Sequence, residues 1–128
     1  MITINNRSRE FTSVEEYLMT IAPSIKSMKD VEDNTVIAVD GLLTFTDIKE
    51  DTGEEVEVLS IITPNKEVFS CQSKTFKRSV EDISNLMKGE PFSIIKISGK
   101  TKNGRDFINC ILDVNSVNVN SKTTKSKK

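Results

Sequence analysis

Residues 92–114 read FSIIKISGKTKNGRDFINCILDV, and this stretch constrains the fold more than any other. Asn103-Gly104 lies between two apolar runs, and this dipeptide is the strongest short-range signal for a two-residue hairpin turn. On both sides of it apolar and polar residues alternate, which is typical of strands. The sequence therefore predicts a hairpin of two strands, residues 92–102 and 105–114.

Three further strands are predicted before this hairpin. They cover residues 35–48, 56–63 and 67–72, and turn-forming segments separate them. The first is long and contains Gly41, and a glycine inside a strand often marks a bend. Residues 1–11 alternate weakly and predict an edge strand.

Two helices are also predicted. The first begins with Ser13 and Glu16, which have the spacing of a capping box, and Pro23 disfavours its continuation. Its apolar residues recur at helical spacing: Val14, Tyr17, Leu18, Ile21 and Ile25. The second helix lies between the third and fourth of the five main strands. Ser79 is its expected cap, and Gly89 and Pro91 end it.

The order strand, strand, strand, helix, strand, strand is that of the OB-fold, a partly open five-stranded barrel. We therefore expect a mainly β protein with this barrel, a helix between strands 3 and 4, and an extra N-terminal helix. An open five-stranded α+β sheet is the alternative. Residues 1–114 are expected to form the OB-fold domain with its helical extension, and residues 115–128 a flexible basic tail.

The composition argues against an enzyme. The 128 residues include no histidine, which is the commonest general base and zinc ligand. Cys71 and Cys110 are far apart and lie in apolar segments, so a buried, reduced pair is expected. No phosphate-binding loop, nucleophile elbow or calcium loop occurs, so we predict no catalytic residue, no cofactor and no metal.

No segment has the length of apolar sequence that a membrane span or a leader needs, so a cytoplasmic location is expected.

Charge is unevenly distributed along the chain. Residues 30–57 contain ten acidic residues and one lysine, whereas residues 66–105 contain nine basic residues and four acidic ones. A polyanion responds to local potential, so the basic region predicts a nucleic-acid surface although the net charge is -1. The acidic residues are expected to lie at the far end of the molecule.

The predicted hairpin carries the first group of candidate binding residues. Alternation along the strand puts Lys96, Ser98, Lys100 and Lys102 on one side and Ile95, Ile97 and Gly99 on the other. The lysines would form a row leading to Arg105 at the tip, where they could contact successive phosphates. A solvated edge whose lysines prevent aggregation is the alternative.

Aromatic residues near these cations are candidates for base stacking. Phe107 is predicted to face outward, because Ile108, Cys110, Leu112 and Val114 form the inward set. A second basic cluster, residues 73–78, contains Phe76 among three cations, although Phe76 could equally belong to the core. These three cations are Lys74, Lys77 and Arg78.

The segments 93–110 and 73–79 resemble the small single-stranded-DNA-binding proteins of phages and some mobile elements of Gram-positive bacteria. The resemblance covers about residues 10–114. It implies an OB-fold protein that coats exposed strands during replication or recombination, largely without sequence preference. Bacterial proteins of this function usually end in an acidic tip, whereas residues 121–128 contain four lysines and no acid. Such a tail could add electrostatic affinity for DNA, and an inert solubilising end is the alternative.

We therefore predict a non-catalytic protein that binds single-stranded DNA, with replication proteins as possible further partners and the oligomeric state left open. A protein-interaction module and a metal-dependent nuclease are the alternatives. The predicted binding residues are Lys74, Phe76, Lys77, Arg78, Lys96, Lys100, Lys102, Arg105 and Phe107.

Overall fold

This computed structural model describes residues 2–115, which contain eight strands, two α-helices and one 3-10 turn. The elements before the middle of the chain are β1 Ile2–Arg7, α1 Ser13–Thr20, β2 Lys26–Ser27, a 3-10 turn Met28–Asp30, β3 Val36–Val39 and β4 Gly41–Ile48. They are followed by β5 Glu55–Ile62, β6 Val68–Cys71, α2 Lys74–Met87, β7 Phe92–Lys100 and β8 Asp106–Leu112. The predicted tail at residues 116–128 lies outside the described residues.

The strands form two sheets rather than one closed barrel. One sheet has five strands in the order β1-β4-β5-β6-β2, and the other has three in the order β3-β7-β8. Within residues 2–115 no pairing joins β6 to β8, so the sheets do not close around the molecule. The mainly β class is confirmed, and the five-stranded barrel is not.

The strand predicted at residues 35–48 is divided between the two sheets. β3 pairs with β7, and after Asp40 the chain continues as β4, which pairs with β1 and β5. A Cβ on Gly41 would lie only 2.5 Å from the ring of Phe11, so a larger residue would not fit at this crossing. The glycine therefore allows the ring to pack closely at the point where the strand changes sheets.

The main core lies between the two sheets and is closed by α2. Leu59 and Ile61 of β5 face Ile94 of β7, and the helix contributes Phe76 and Val80. All five side chains are at most 2% exposed, as expected for residues whose burial drives folding. α2 also packs along β8, on the side where the two sheets fail to join.

A second core lies on the other side of the five-stranded sheet. Met19 of α1 packs there with Leu43 and Phe45 of β4 and Ile62 of β5. The hydroxyl of Ser60 donates a hydrogen bond to the carbonyl of Met19, which fixes the helix to the sheet. The outer face of the five-stranded sheet is therefore covered by the N-terminal segment, but α1 is buried there through Glu15 and Met19. Three residues of the predicted apolar stripe are instead exposed: Val14, Tyr17 and Ile21.

The N-terminal cap of α1 lies one residue earlier than predicted. Thr12 rather than Ser13 is the cap, and Glu15 completes the capping box by accepting a hydrogen bond from the Thr12 backbone. Glu15 is buried and also forms ion pairs with Arg9 at 3.2 Å and Lys66 at 2.7 Å. Hydrogen bonds to the Glu15 carboxylate, of which that from Arg9 has the largest effect and that from Lys66 the next largest, lower the pKa of this carboxyl to about 2.

Helix α2 begins earlier than expected, because Ser73 caps it by accepting a hydrogen bond from the amide of Phe76. The basic cluster 73–78 therefore forms the cap and first turns of the helix, rather than the segment before it that the expected cap at Ser79 implies. The helix ends at Lys88 and Gly89, both in the left-handed region, close to the end that the sequence predicts. Within the described part of the chain, neither helix is long and apolar enough to cross a membrane.

Candidate nucleic-acid interface

The β7–β8 hairpin ends in a three-residue loop, residues 102–104, rather than the predicted two-residue turn. The amide of Gly104 donates to the carbonyl of Thr101 at 2.9 Å, and the amide of Thr101 donates to the carbonyl of Arg105 at 2.9 Å. Gly104 has φ +81°, a conformation that glycine adopts without strain. A turn closed by a left-handed glycine is the usual form of three-residue hairpin loops.

Three predicted cations lie at this tip and are exposed: Lys100, Lys102 and Arg105. Lys100 pairs with Asp106 at 2.6 Å, but both side chains are well exposed, and such pairs contribute little. Within residues 2–115, Lys102 and Arg105 form no ion pair with a carboxylate. Their charges are therefore available to an anionic ligand.

Phe107 faces outward next to these cations, as predicted. Its side chain is 36% exposed, and its ring reaches across to β7 above Gly99. A Cβ on Gly99 would lie 2.9 Å from the ring Cζ, closer than side chains tolerate. The glycine therefore provides the space in which the ring lies across the hairpin.

Lys96 does not belong to this exposed group, and its predicted place in a surface row is wrong. The alternation along β7 is as predicted, but Lys96 lies on the side that carries the buried Ile94 and is 4% exposed. Its ammonium group donates to the carbonyl of Val31 at 2.6 Å and lies 3.4 Å from Asp33. Lys96 therefore fixes the loop before β3 to β7, because a buried charge needs such partners.

This placement leads to a prediction about stability. Lys96→Met should lower the free energy of unfolding by about 1–3 kcal/mol, because the Val31 carbonyl loses its partner. The same variant should bind DNA with an unchanged salt dependence, since the buried ammonium contacts no phosphate. Urea unfolding and a salt titration measure the two effects. Unchanged stability with a reduced salt dependence would contradict this role for Lys96.

The basic cluster at the start of α2 divides into buried and exposed members. Phe76 is fully buried in the main core, so its predicted role in base stacking is wrong. Lys77 is half-buried between Glu57 at 3.9 Å and Glu81 at 3.4 Å. Lys74 and Arg78 are exposed on the helix surface. The predicted convergence of these cations with those of the hairpin tip stays a prediction.

The acidic β4–β5 hairpin is closer to the helix cations than expected. Glu54, Glu55 and Glu57 line a shallow cleft together with Lys74 and Lys77. Nearby carboxylates lower the positive potential at the start of α2. The hairpin tip, whose Lys102 and Arg105 are not paired within the described chain, is therefore the stronger candidate for phosphate contact.

Sequence reasoning missed apolar residues on the outer face of the three-stranded sheet. Val36 and Ile111 are 54% and 48% exposed, although both lie in regular strands. Alternation from Phe107 through Asn109 already places Ile111 outward, so the signal was present. Val114, predicted to face inward, is 69% exposed beyond the end of β8.

Both cysteines are buried and free, as predicted. Burial raises the pKa of the Cys71 thiol to about 11 and that of the Cys110 thiol to about 12. Both thiols are therefore protonated at neutral pH and are poor nucleophiles. Within the described residues, no group of three potential ligands is arranged to hold a metal ion.

A wider groove of about 630 Å³ lies between the β1–β4 edge and the second half of α2. Its cations include Arg9, which pairs with Asp40 at 3.0 Å as well as with Glu15. Glu81 and Glu90 also line this groove. Acidic residues therefore offset the cations of this groove, whereas at the hairpin tip three cations outnumber the one carboxylate, Asp106.

Comparison with protein families identifies the kind of protein that this chain resembles. The sequence profile of the phi29-type family described as phage single-stranded DNA-binding protein matches residues 14–127. No curated protein matches the chain, and no solved structure matches it.

Proposed function

Because the chain belongs to the phage single-stranded DNA-binding protein family and binds single-stranded DNA in phage replication, we propose that its β7–β8 hairpin makes the main contact with that DNA. In this proposal Lys100, Lys102 and Arg105 contact phosphates, and Phe107 stacks on a base. The observation that carries it is the combination, on one hairpin, of three exposed cations with an exposed aromatic ring, two of the cations (Lys102 and Arg105) having no ion pair within residues 2–115.

The phosphate contacts account for binding without sequence preference. Each neutralised phosphate releases a condensed counterion, and this gain does not depend on the bases. Lys102 and Arg105 suit this role because they form no ion pair within the described chain. Lys74 and Arg78, exposed on α2, extend the proposed positive surface.

Base stacking on Phe107 adds affinity that is equally tolerant of sequence, because every base offers a flat face. Single strands can present their bases to such a ring, whereas in a duplex the bases are stacked and paired. The proposal therefore favours single-stranded over double-stranded DNA.

We propose that the fold is an open variant of the OB-fold. β3 and β4 together take the position of its first strand, and α2 lies between the third and fourth strands of that arrangement. The protein acts as a coat and not as a catalyst, and it works in the host cytoplasm, where phage DNA is replicated. Contact with replication proteins stays a prediction.

Fluorescence anisotropy with matched single- and double-stranded oligonucleotides at several ionic strengths tests the proposal. We expect tighter binding to the single strand and a linear fall of log affinity with log salt, with a slope of about -0.7 per phosphate contact. Equal affinity for the duplex, or a flat salt response, would contradict it.

A further inference from the structure

The outer face of the three-stranded sheet is apolar along most of its length. Val36, Ile95 and Ile111 are opposite one another on β3, β7 and β8 and form a row across the sheet. Nearer the hairpin tip, Phe107 is opposite Gly99, and Asn109 is opposite Ile97 between the two rows. The rows lie four residues apart along β7, which is about 13 Å.

This face is open, unlike the outer face of the other sheet. α1 and its core residues cover the five-stranded sheet, whereas no element of the described chain covers the three-stranded one. Three large apolar side chains on it are exposed, namely Val36, Phe107 and Ile111, at 54%, 36% and 48%. Contiguous exposed apolar residues of this kind mark interaction surfaces.

We infer that the bases of the bound strand continue from Phe107 across this face toward Val36 and Ile111. This inference rests on the proposed function and adds a second contact region to it. The cations of the hairpin tip lie at one end of the face, so a strand whose phosphates they hold can lay its bases along the apolar rows. Aliphatic side chains contact bases without reading their sequence.

Asn109 supports a nucleotide as the occupant. Its side-chain oxygen accepts a hydrogen bond from the amide of Cys110 at 2.8 Å, which fixes the orientation of the amide group. The side-chain nitrogen donates to no residue in the described part of the chain. A free donor between two apolar rows can bond to a base edge or a phosphate.

A second copy of the chain fits this face less well. Three half-exposed side chains offer on the order of 300 Å² of apolar surface. Each partner in a stable complex buries about 800 Å² in total, of which somewhat more than half is apolar. β8 is an edge strand, but Asn109 already bonds to the Cys110 amide and so blocks a site where another strand could pair. The small apolar area of the face and the blocked edge of β8 therefore favour a nucleic acid over a second copy of the chain.

The double variant Val36→Thr/Ile111→Thr tests the inference, because threonine is β-branched and strand-favouring like valine and isoleucine but has less apolar surface. We expect about five- to tenfold weaker binding to oligo-dT at every salt concentration, with an unchanged salt slope. Val14→Thr is the matched control, since Val14 is 66% exposed on α1, away from the face, and affinity should not change.

Methyl NMR of the wild-type chain gives a second measurement that does not depend on how the variants fold. Addition of oligo-dT should shift the Ile111 and Val36 methyl signals and leave that of Val14 in place. Unshifted signals, or wild-type affinity in the double variant, would overturn the inference. If tip variants still weakened binding, the proposed function would stand. A wild-type dimer that the double variant converts to a monomer of unchanged DNA affinity would assign the face to a second copy instead.

Discussion

The variant Lys102→Ala/Arg105→Ala is expected to bind single-stranded DNA roughly 25-fold more weakly at about 0.1 M salt. The slope of log affinity against log salt is about -0.7 per phosphate contact, so each contact changes the affinity by a factor of about five at that concentration. The magnitude of the salt slope should fall by about 1.4. Anisotropy titrations over a range of salt concentrations measure both quantities for several oligonucleotide sequences, which should be affected alike.

Lys49→Ala is the control for this prediction. It removes one positive charge from the end of the β4–β5 hairpin, where acidic residues surround it. If a lost charge acted only through the net charge, Lys49→Ala and Lys102→Ala would weaken binding equally. We expect Lys49→Ala to leave the slope unchanged, and an equal effect of the two variants would remove the hairpin tip from the interface.

Phe107→Ala is expected to weaken binding by about 1–3 kcal/mol, the usual contribution of a base stacked on an aromatic ring. That corresponds to roughly 5- to 150-fold in affinity. The salt slope should not change, because no phosphate contact is lost. Titration of the variant with the same oligonucleotides separates this effect from that of the cations. Wild-type affinity in Phe107→Ala would return the ring to a packing role.

Gly99→Ala makes this test sharper. The new Cβ would lie 2.9 Å from the ring, so the ring must move and stacking should weaken. In a chain that already carries Phe107→Ala, the same change should cost no further affinity, because there is no ring to displace. Additive effects of the two substitutions would mean that Gly99 acts independently of Phe107.

The order of the longer strands and of the two helices could be predicted from the sequence because local signals specify it, whereas the short β2 and the division of residues 35–48 into β3 and β4 were not predicted. Alternation specifies the strands, and caps with glycine or proline specify the helix ends. How the sheets associate depends on distant contacts that carry no local signal. Closure of a barrel requires β6 to pair with β8, and instead α2 packs along β8 where the sheets do not join.

Errors in the candidate site came from assigning apolar residues to the inside. On β7 the buried position is occupied by Lys96, whose ammonium bonds to the Val31 carbonyl, while Ile95 and Ile97 face outward with Phe107. Alternation shows which residues share a face but not which face is buried. Phe76 differs for another reason, because the Ser73 cap starts α2 early enough to place this ring in the core, whereas the sequence pattern predicts the cap at Ser79.

The burial of Glu15 has a consequence for how this protein responds to its solvent. Dissolved ions screen exposed charges such as those of the hairpin tip much more than partly buried pairs such as Glu15 with Arg9 and Lys66. In the proposed complex, salt can therefore release the DNA while the N-terminal segment stays in place. Acid instead acts on the Glu15 ion pairs. Their stabilisation of the N-terminal segment is complete above the ordinary carboxyl pKa of 4.5 and is lost as the pH falls toward the lowered pKa of about 2.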